Sequence, residues 1–197
     1  MNPNTKYEVP TLNQTYDMLL NQAQKIHTSH YQPDLIVAVA RGGLVPARIL
    51  SDLLETTDIA VIQVEFYVGI AKTRLQPNLK QALTIPIQGK KALIVDDISD
   101  TGKTLQLAKN HLTQHGASEV KIATLYTKPQ STAQPDFFEK ETSRWVVFPW
   151  DAKETVHKIA AGSEGKRAVN REVAKLVKAG LPVQLAERFL SEVTGEP

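Results

Sequence analysis

The stretch Ala92–Leu105, A-L-I-V-D-D-I-S-D-T-G-K-T-L, constrains the fold more than any other in the chain. Ala92, Leu93, Ile94 and Val95 form a short apolar run that predicts a buried strand. Asp96 and Asp97 follow at once, then a turn of small and polar residues: Ser99, Asp100, Thr101, Gly102, Lys103 and Thr104. Leu105, Leu107, Ala108 and Leu112 then recur with helical spacing as far as His115-Gly116. Strand, tight loop and helix in this order put the loop amides at a helix N-terminus, where backbone N–H groups and the helix dipole favour an anion. Gly102 permits close approach of the backbone, and the hydroxyls of Ser99, Thr101 and Thr104 add donors. The pattern predicts a phosphate cradle.

Gly102-Lys103-Thr104 also matches the end of a P-loop, but that motif needs a glycine where this chain has Asp97. A carboxylate there repels a polyphosphate and blocks the wrap of amides around it. Paired carboxylates suit sugar hydroxyls, which donate to them, or a divalent cation, which neutralises them. A phosphate cradle beside a diol clamp implies a phosphorylated sugar. The bland alternative is an acidic turn with an N-cap at Asp100 or Thr101.

Composition narrows the classes. A chain of 197 residues suits one α/β domain with an appendage, and can bury a substantial core. A net charge of +2 fits a small anionic substrate and gives no nucleic-acid footprint by itself. The absence of cysteine excludes disulfides, thiol catalysis and cysteine-metal sites. No apolar run approaches ~18 residues, and the first residues carry no apolar signal core, so a cytoplasmic protein is expected.

Along the chain, residues 1–10 read as a loose arm and Thr11 to Ser29 as a helix. Leu35 to Ala40 predicts a central parallel strand. Arg41-Gly42-Gly43 ends it, where two glycines let backbone N–H groups approach an anion and Arg41 adds forked donors. A helix over Leu44–Glu55 and a strand over Ile59–Tyr67 follow. From Val68 to Gln88 the pattern breaks up, with Gly69, Pro77, Pro86 and a cluster of Lys72, Arg74 and Lys80, as in a lid. Glu119 to Tyr126 is another buried-type strand, and Lys128 after it stands at the strand ends where ligands bind. Arg144 to Phe148 reads as an edge strand whose Trp145 offers a flat stacking face; Trp150 is assigned to packing.

Beyond Ala152, one helix over Lys153–Ala161 is expected, then a hinge at Gly162-Ser163-Glu164-Gly165. Two helices follow, Ala168–Lys178 and Val183–Val193, with apolar faces suited to a hairpin on the body or on a partner subunit. Lys166, Arg167, Arg171, Lys175 and Lys178 invite a helix-turn-helix reading, which Glu172, Glu187 and Glu192 dilute.

Four segments in order resemble type I phosphoribosyltransferases, and most of all the xanthine-guanine and related 6-oxopurine enzymes. They are Val39–Gly43, Val95–Thr104, Thr124–Pro129 and Arg144–Asp151, so the resemblance spans roughly Pro33 to Asp151. It implies a doubly wound, mostly parallel α/β sheet with a hood, expected over residues 1–161; beyond the resemblance, the helical spacing predicts a C-terminal helical extension over 162–197. It implies transfer of phosphoribose from phosphoribosyl pyrophosphate to N9 of a free purine base with magnesium (Mg2+), in a homo-oligomer, dimer or tetramer. Ser99 to Thr104 would hold the 5′-phosphate, Asp96 and Asp97 the ribose hydroxyls, with Asp97 also on the metal. Arg41, Gly42 and Gly43 would hold the pyrophosphate, with Lys72 and Arg74 of the hood reaching it. Asp100 would take or share the proton at N7. Lys128 would read the 6-oxo group, Trp145 would stack on the base, and Val146 would offer backbone groups to its edge. A non-proline cis peptide at Ala40-Arg41 is expected on the same resemblance. Two alternatives stay open: a regulator that senses phosphoribosyl pyrophosphate and binds nucleic acid, and the same chemistry on adenine or a pyrimidine.

Overall fold

Leu-Ile-Val-Ala-Val-Ala is apolar on both faces, and it forms a central strand. The computed structural model describes residues 5–68 and 75–195. They divide into two compact units, one over Tyr16–Thr142, the other joining the segment up to Thr15 with that from Ser143 onward.

In the larger unit, β2 (Leu35–Ala40), β3 (Ile59–Val68), β4 (Leu75–Gln81), β5 (Lys91–Ser99), β6 (Glu119–Thr127) and β7 (Phe137–Glu141) form one sheet of order β4-β3-β2-β5-β6-β7. Every pair is parallel except β3 with β4. Helices α2 (Leu44–Leu53) and α3 (Lys103–Gln114) and all but the first turn of α1 (Leu12–Thr28) are the helical elements here. Burial of both faces explains the unbroken apolar runs. Leu35, Val37, Val39, Ala92 and Ile94 join Leu105, Ala108 and Leu112 of α3 in one core cluster. Their neighbours Ile36, Ala38, Leu93 and Val95 are equally buried on the opposite side.

The chain leaves β2 toward β3 on one side and continues from β5 toward β6 on the other. The winding therefore reverses between β2 and β5, and a crevice opens there at the carboxyl ends of the strands. The loops carrying Arg41 and Asp100 both start at that crevice.

Two expectations about this unit are corrected. The stretch from Val68 to Gln88 was expected to be irregular, yet Leu75–Gln81 pairs antiparallel with β3. Its polar and proline content suits an edge strand, where Pro77 loses no inner ladder bond. Strand β7 was not anticipated, because Phe137–Glu141 is short and mostly polar. Lys72 and Arg74 lie outside the described residues.

In the smaller unit, β1 (Tyr7–Glu8) pairs parallel with β8 (Trp145–Val146), in register Tyr7 with Trp145. The arm is thus not loose: Tyr7 is buried, and its hydroxyl donates to Glu172 Oε2 at 3.4 Å. The expected edge strand over Arg144–Phe148 shrinks to two residues in a separate two-stranded sheet. Helices α4 (Ala152–Gly162), α5 (Lys166–Ala179) and α6 (Val183–Thr194) match the sequence reading to within two residues at their ends. Val156, Ile159, Val169, Val173, Leu176 and Ala186 share a core with Tyr7 and Val147. Buried Glu172 also accepts from Lys175 Nζ at 2.7 Å. Burial, then the charge of Glu172, pushes the Tyr7 phenol up to about 12. Trp150 stacks on Phe148, centroids 4.9 Å apart, as packing residues do.

Candidate active site

The loops that follow β2 and β5 meet at the crevice. Gly42 lies so close to the Asp97 carboxylate that an added Cβ would sit 2.5 Å from its Oδ1. Gly43 is wedged against the ends of two strands, where a Cβ would lie 2.8 Å from Val39 O. Its N–H already donates to Val39 O at 2.9 Å, so the amide free to meet an anion in this turn is that of Gly42. The Ala40-Arg41 peptide is cis. Arg41 is exposed at the lip.

Asp96 and Asp97 carry the negative charge of the crevice. Asp97 is buried and Asp96 half-buried. The Asp97 N–H donates to Asp96 Oδ1 at 3.0 Å. Burial, reinforced by the charge of Asp97, raises the Asp96 carboxyl well above the usual carboxylate range. A cation or a set of donors favours the ionised form of such a pair. Among the described residues no cluster of three or more His, Asp or Glu side chains could hold a metal. Two carboxylates with the remaining ligands drawn from substrate oxygens and water is the manner of magnesium, so the donor set fits that ion.

Beyond them a cavity of about 300 Å³ is lined by Asp96 and by the run from Ile98 to Leu105. Gly102 takes φ +78°, the left-handed region, and starts α3. The Gln106 N–H donates to Gly102 O at 2.9 Å, which leaves the amides of Lys103, Thr104 and Leu105 without a carbonyl partner inside the helix. The Lys103 N–H also lies 3.5 Å from Thr101 Oγ1. Ser99, by contrast, is buried, and its hydroxyl is engaged inside the protein, 2.7 Å from Ser131 Oγ and 3.1 Å from Ala133 O.

The segment after β6 braces this loop, and none of its residues beyond Lys128 was singled out from the sequence. The Lys128 N–H donates to Ser99 O at 2.9 Å. Thr132 donates twice to Thr101 O, from its N–H at 3.1 Å and its hydroxyl at 2.9 Å. Gln130 Nε2 donates to Asp100 Oδ1 at 3.0 Å. Gln, Ser and Thr in a turn are too common for sequence to mark them as partners of a particular loop; their spacing from Lys128 is the only signal. Lys128 itself is buried at 7% exposure.

The larger unit thus brings together Arg41, Gly42, Gly43, Asp96, Asp97, Ser99 to Thr104 and Lys128. Trp145 and Val146 belong to β8 of the smaller unit, Trp145 with 45% of its surface exposed and Val146 buried.

A family model described as the phosphoribosyl transferase domain matches residues 15–156. A xanthine-guanine phosphoribosyltransferase of Nitratidesulfovibrio vulgaris is 36% identical over 120 residues, 60% of this chain and 69% of that relative. One from Gluconobacter oxydans is 34% identical over 118 residues, 59% and 67% of the two chains. Among solved structures, a purine phosphoribosyltransferase from Pyrococcus horikoshii Ot3 matches with a TM-score of 0.68 at 37% identity, over 74% of this chain and 94% of that one.

Proposed function

The chain belongs to the phosphoribosyl transferase domain family, and on that premise we propose that it transfers 5-phosphoribose from phosphoribosyl pyrophosphate to N9 of a 6-oxopurine. The base is guanine, xanthine or hypoxanthine, pyrophosphate leaves, and the reaction serves purine salvage. The observation that carries this reading is the junction of the β2 and β5 loops. There a carboxylate pair, unsuited to phosphate, lies between a glycine-arginine turn and a helix-start cradle that both suit it.

Each group then has a task. The amides of Thr101 to Thr104 and the Thr101 and Thr104 hydroxyls fix the 5′-phosphate, while Ser99 holds the loop in shape from below. Asp96 and Asp97 accept from the ribose hydroxyls, and both would hold magnesium, Asp97 foremost. When bound, that ion supplies charge to the pyrophosphate oxygens. Arg41 and the Gly42 amide bind the departing pyrophosphate and oppose its negative charge. Cleavage at C1 builds positive charge on the ribose, as in glycoside chemistry, and the nearby carboxylates favour it. Asp100, exposed at the loop apex, takes or shares the proton at N7. Lys128 donates to the 6-oxo group. Trp145 and Val146 serve the base, and Lys72 and Arg74 the pyrophosphate.

In this reading residues 1–161 carry the transferase and 162–197 an extension, and the enzyme works in the cytoplasm as a dimer or tetramer. No helix among the described residues is long and apolar enough to cross a membrane. The test is pyrophosphate release from phosphoribosyl pyrophosphate with a panel of free bases. Release with guanine, xanthine or hypoxanthine is expected; release with pyrimidines alone would overturn the reading.

A further inference from the structure

Gln130 is exposed in a turn that would pass for a simple connection. Its backbone, however, is pinned from both sides. Before it, the Lys128 N–H is bonded to Ser99 O at 2.9 Å, and the Ser131 N–H closes the turn onto Lys128 O at 3.0 Å. After it, Ser131 Oγ stands 2.7 Å from Ser99 Oγ, and Thr132 donates twice to Thr101 O. The turn is therefore tied to residues on either side of Asp100, and the Gln130 amide reaches Asp100 Oδ1 at 3.0 Å.

An exposed carboxylate at a loop apex otherwise spreads over its rotamers. A donor held by five bonds in its own turn removes that freedom. The amide is also neutral. A lysine or arginine in its place would add a full charge favouring the ionised carboxylate, and so would oppose its taking a proton. An amide nitrogen only donates, so it draws on the electron density of the oxygen it occupies and leaves Oδ2 the better acceptor for the purine's proton.

We propose that Gln130 is a positioning residue that holds Asp100 by Oδ1 and so assigns Oδ2 as the oxygen that receives the proton from N7. This rests on Asp100 acting as the proton acceptor. It adds to that reading a second residue, which acts only through the first.

The test is a double-mutant cycle of Gln130→Met and Asp100→Asn, read by kcat at saturating hypoxanthine and by the Kd of phosphoribosyl pyrophosphate. Gln130→Met alone should lower kcat about tenfold to a hundredfold, the usual worth of one hydrogen bond to a charged group, and leave the Kd unchanged. In the Asp100→Asn background the same substitution should change kcat by less than about twofold, because the proton-accepting oxygen that Gln130 positions is gone. An equal loss in both backgrounds, or no loss in the native background, overturns the proposal. Full activity of Asp100→Asn alone would instead remove Asp100 as the acceptor, a different result from either.

Discussion

Replacing Gly102 by alanine should damage both the fold and the cradle, and the structure separates the two reasons. The first is conformational. With φ at +78°, an alanine there adopts the left-handed region at a cost of about 1–2 kcal/mol. The second is steric. The new methyl would lie 2.8 Å from Ser131 Oγ and 2.9 Å from Ala133 Cβ, and against the Ala133 N–H. Ser131 is bonded to Ser99 and cannot rotate away freely, so overpacking adds roughly 1–3 kcal/mol. The sum is about 2–5 kcal/mol. Gly89 supplies the control, since it has φ +76° but nothing within 4 Å of an added Cβ. Gly89→Ala should therefore show the backbone cost alone. At ~2–4 °C per kcal/mol for a chain of this size, Gly102→Ala should melt about 4–20 °C lower and Gly89→Ala about 2–8 °C lower. Displacing the first-turn amides should also weaken phosphoribosyl pyrophosphate binding roughly tenfold or more. Thermal and urea unfolding of both variants, with titration of phosphoribosyl pyrophosphate, makes the comparison. A Gly102→Ala protein no less stable than Gly89→Ala would refute the argument that the brace closes on the loop.

Asp100→Asn should lower kcat by about 10²–10⁴ while phosphoribosyl pyrophosphate still binds, because proton handling is lost and the amide cradle is not; unchanged turnover would remove Asp100 from the mechanism. Lys128 only donates, so adenine, with an amino group at position 6, should be roughly ten- to a hundredfold poorer than hypoxanthine. Lys128→Ala should narrow that gap by slowing the oxopurine, and equal use of both bases by the native enzyme would dismiss Lys128 as the reader. His111 makes stability depend on pH: buried against its neighbour His115, its pKa lies below the usual value of 6.5, and its Nε2 accepts from the Leu83 N–H at 3.2 Å. The neutral ring's contribution is present above pH ~6.5 and lost as pH falls through the lowered value, so unfolding free energy should drop as pH falls below about 6.5. His111→Gln should flatten that drop, and identical slopes would discount the histidine.

The sequence was most informative where chemistry and fold share one contiguous stretch. Ala92–Leu105 encodes a strand by its apolar run, a helix start by Gly102 and a binding task by its carboxylates, and each signal constrains the others. β2 and β6 were legible for the same reason, since burial on both faces leaves an unbroken apolar run. The omissions have a common cause in contacts made far along the chain. β1 is two residues whose strand character comes from Trp145-Val146, and nothing local announces it. β4 was hidden by Pro77 and its polar neighbours, which an edge position tolerates and a central one would not. The brace from Gln130 to Ala133 was invisible because each residue type is ordinary in a turn, and only its target loop gives it meaning. Ser99 illustrates the converse, a hydroxyl expected in the turn that in fact ends β5 and is committed inside the protein rather than to a ligand.

β1 has one more consequence, for the order in which the molecule comes into being. The Tyr7 hydroxyl finds its partner 165 positions later, and the Val147 N–H closes on Glu8 O at 2.8 Å. A ribosome makes the arm before Tyr16–Thr142, yet everything that holds it is made after that span. The segment from Tyr16 to Thr142 can meanwhile complete its sheet, whose partners all lie within that span. The smaller unit must then close a loop of more than a hundred residues, at an entropy that grows only logarithmically with length. Its buried contacts at Tyr7, Val147 and Leu176 are the reward that comes after closure, never before it. The arm is in this sense a clasp, made before its partners and fastened after them.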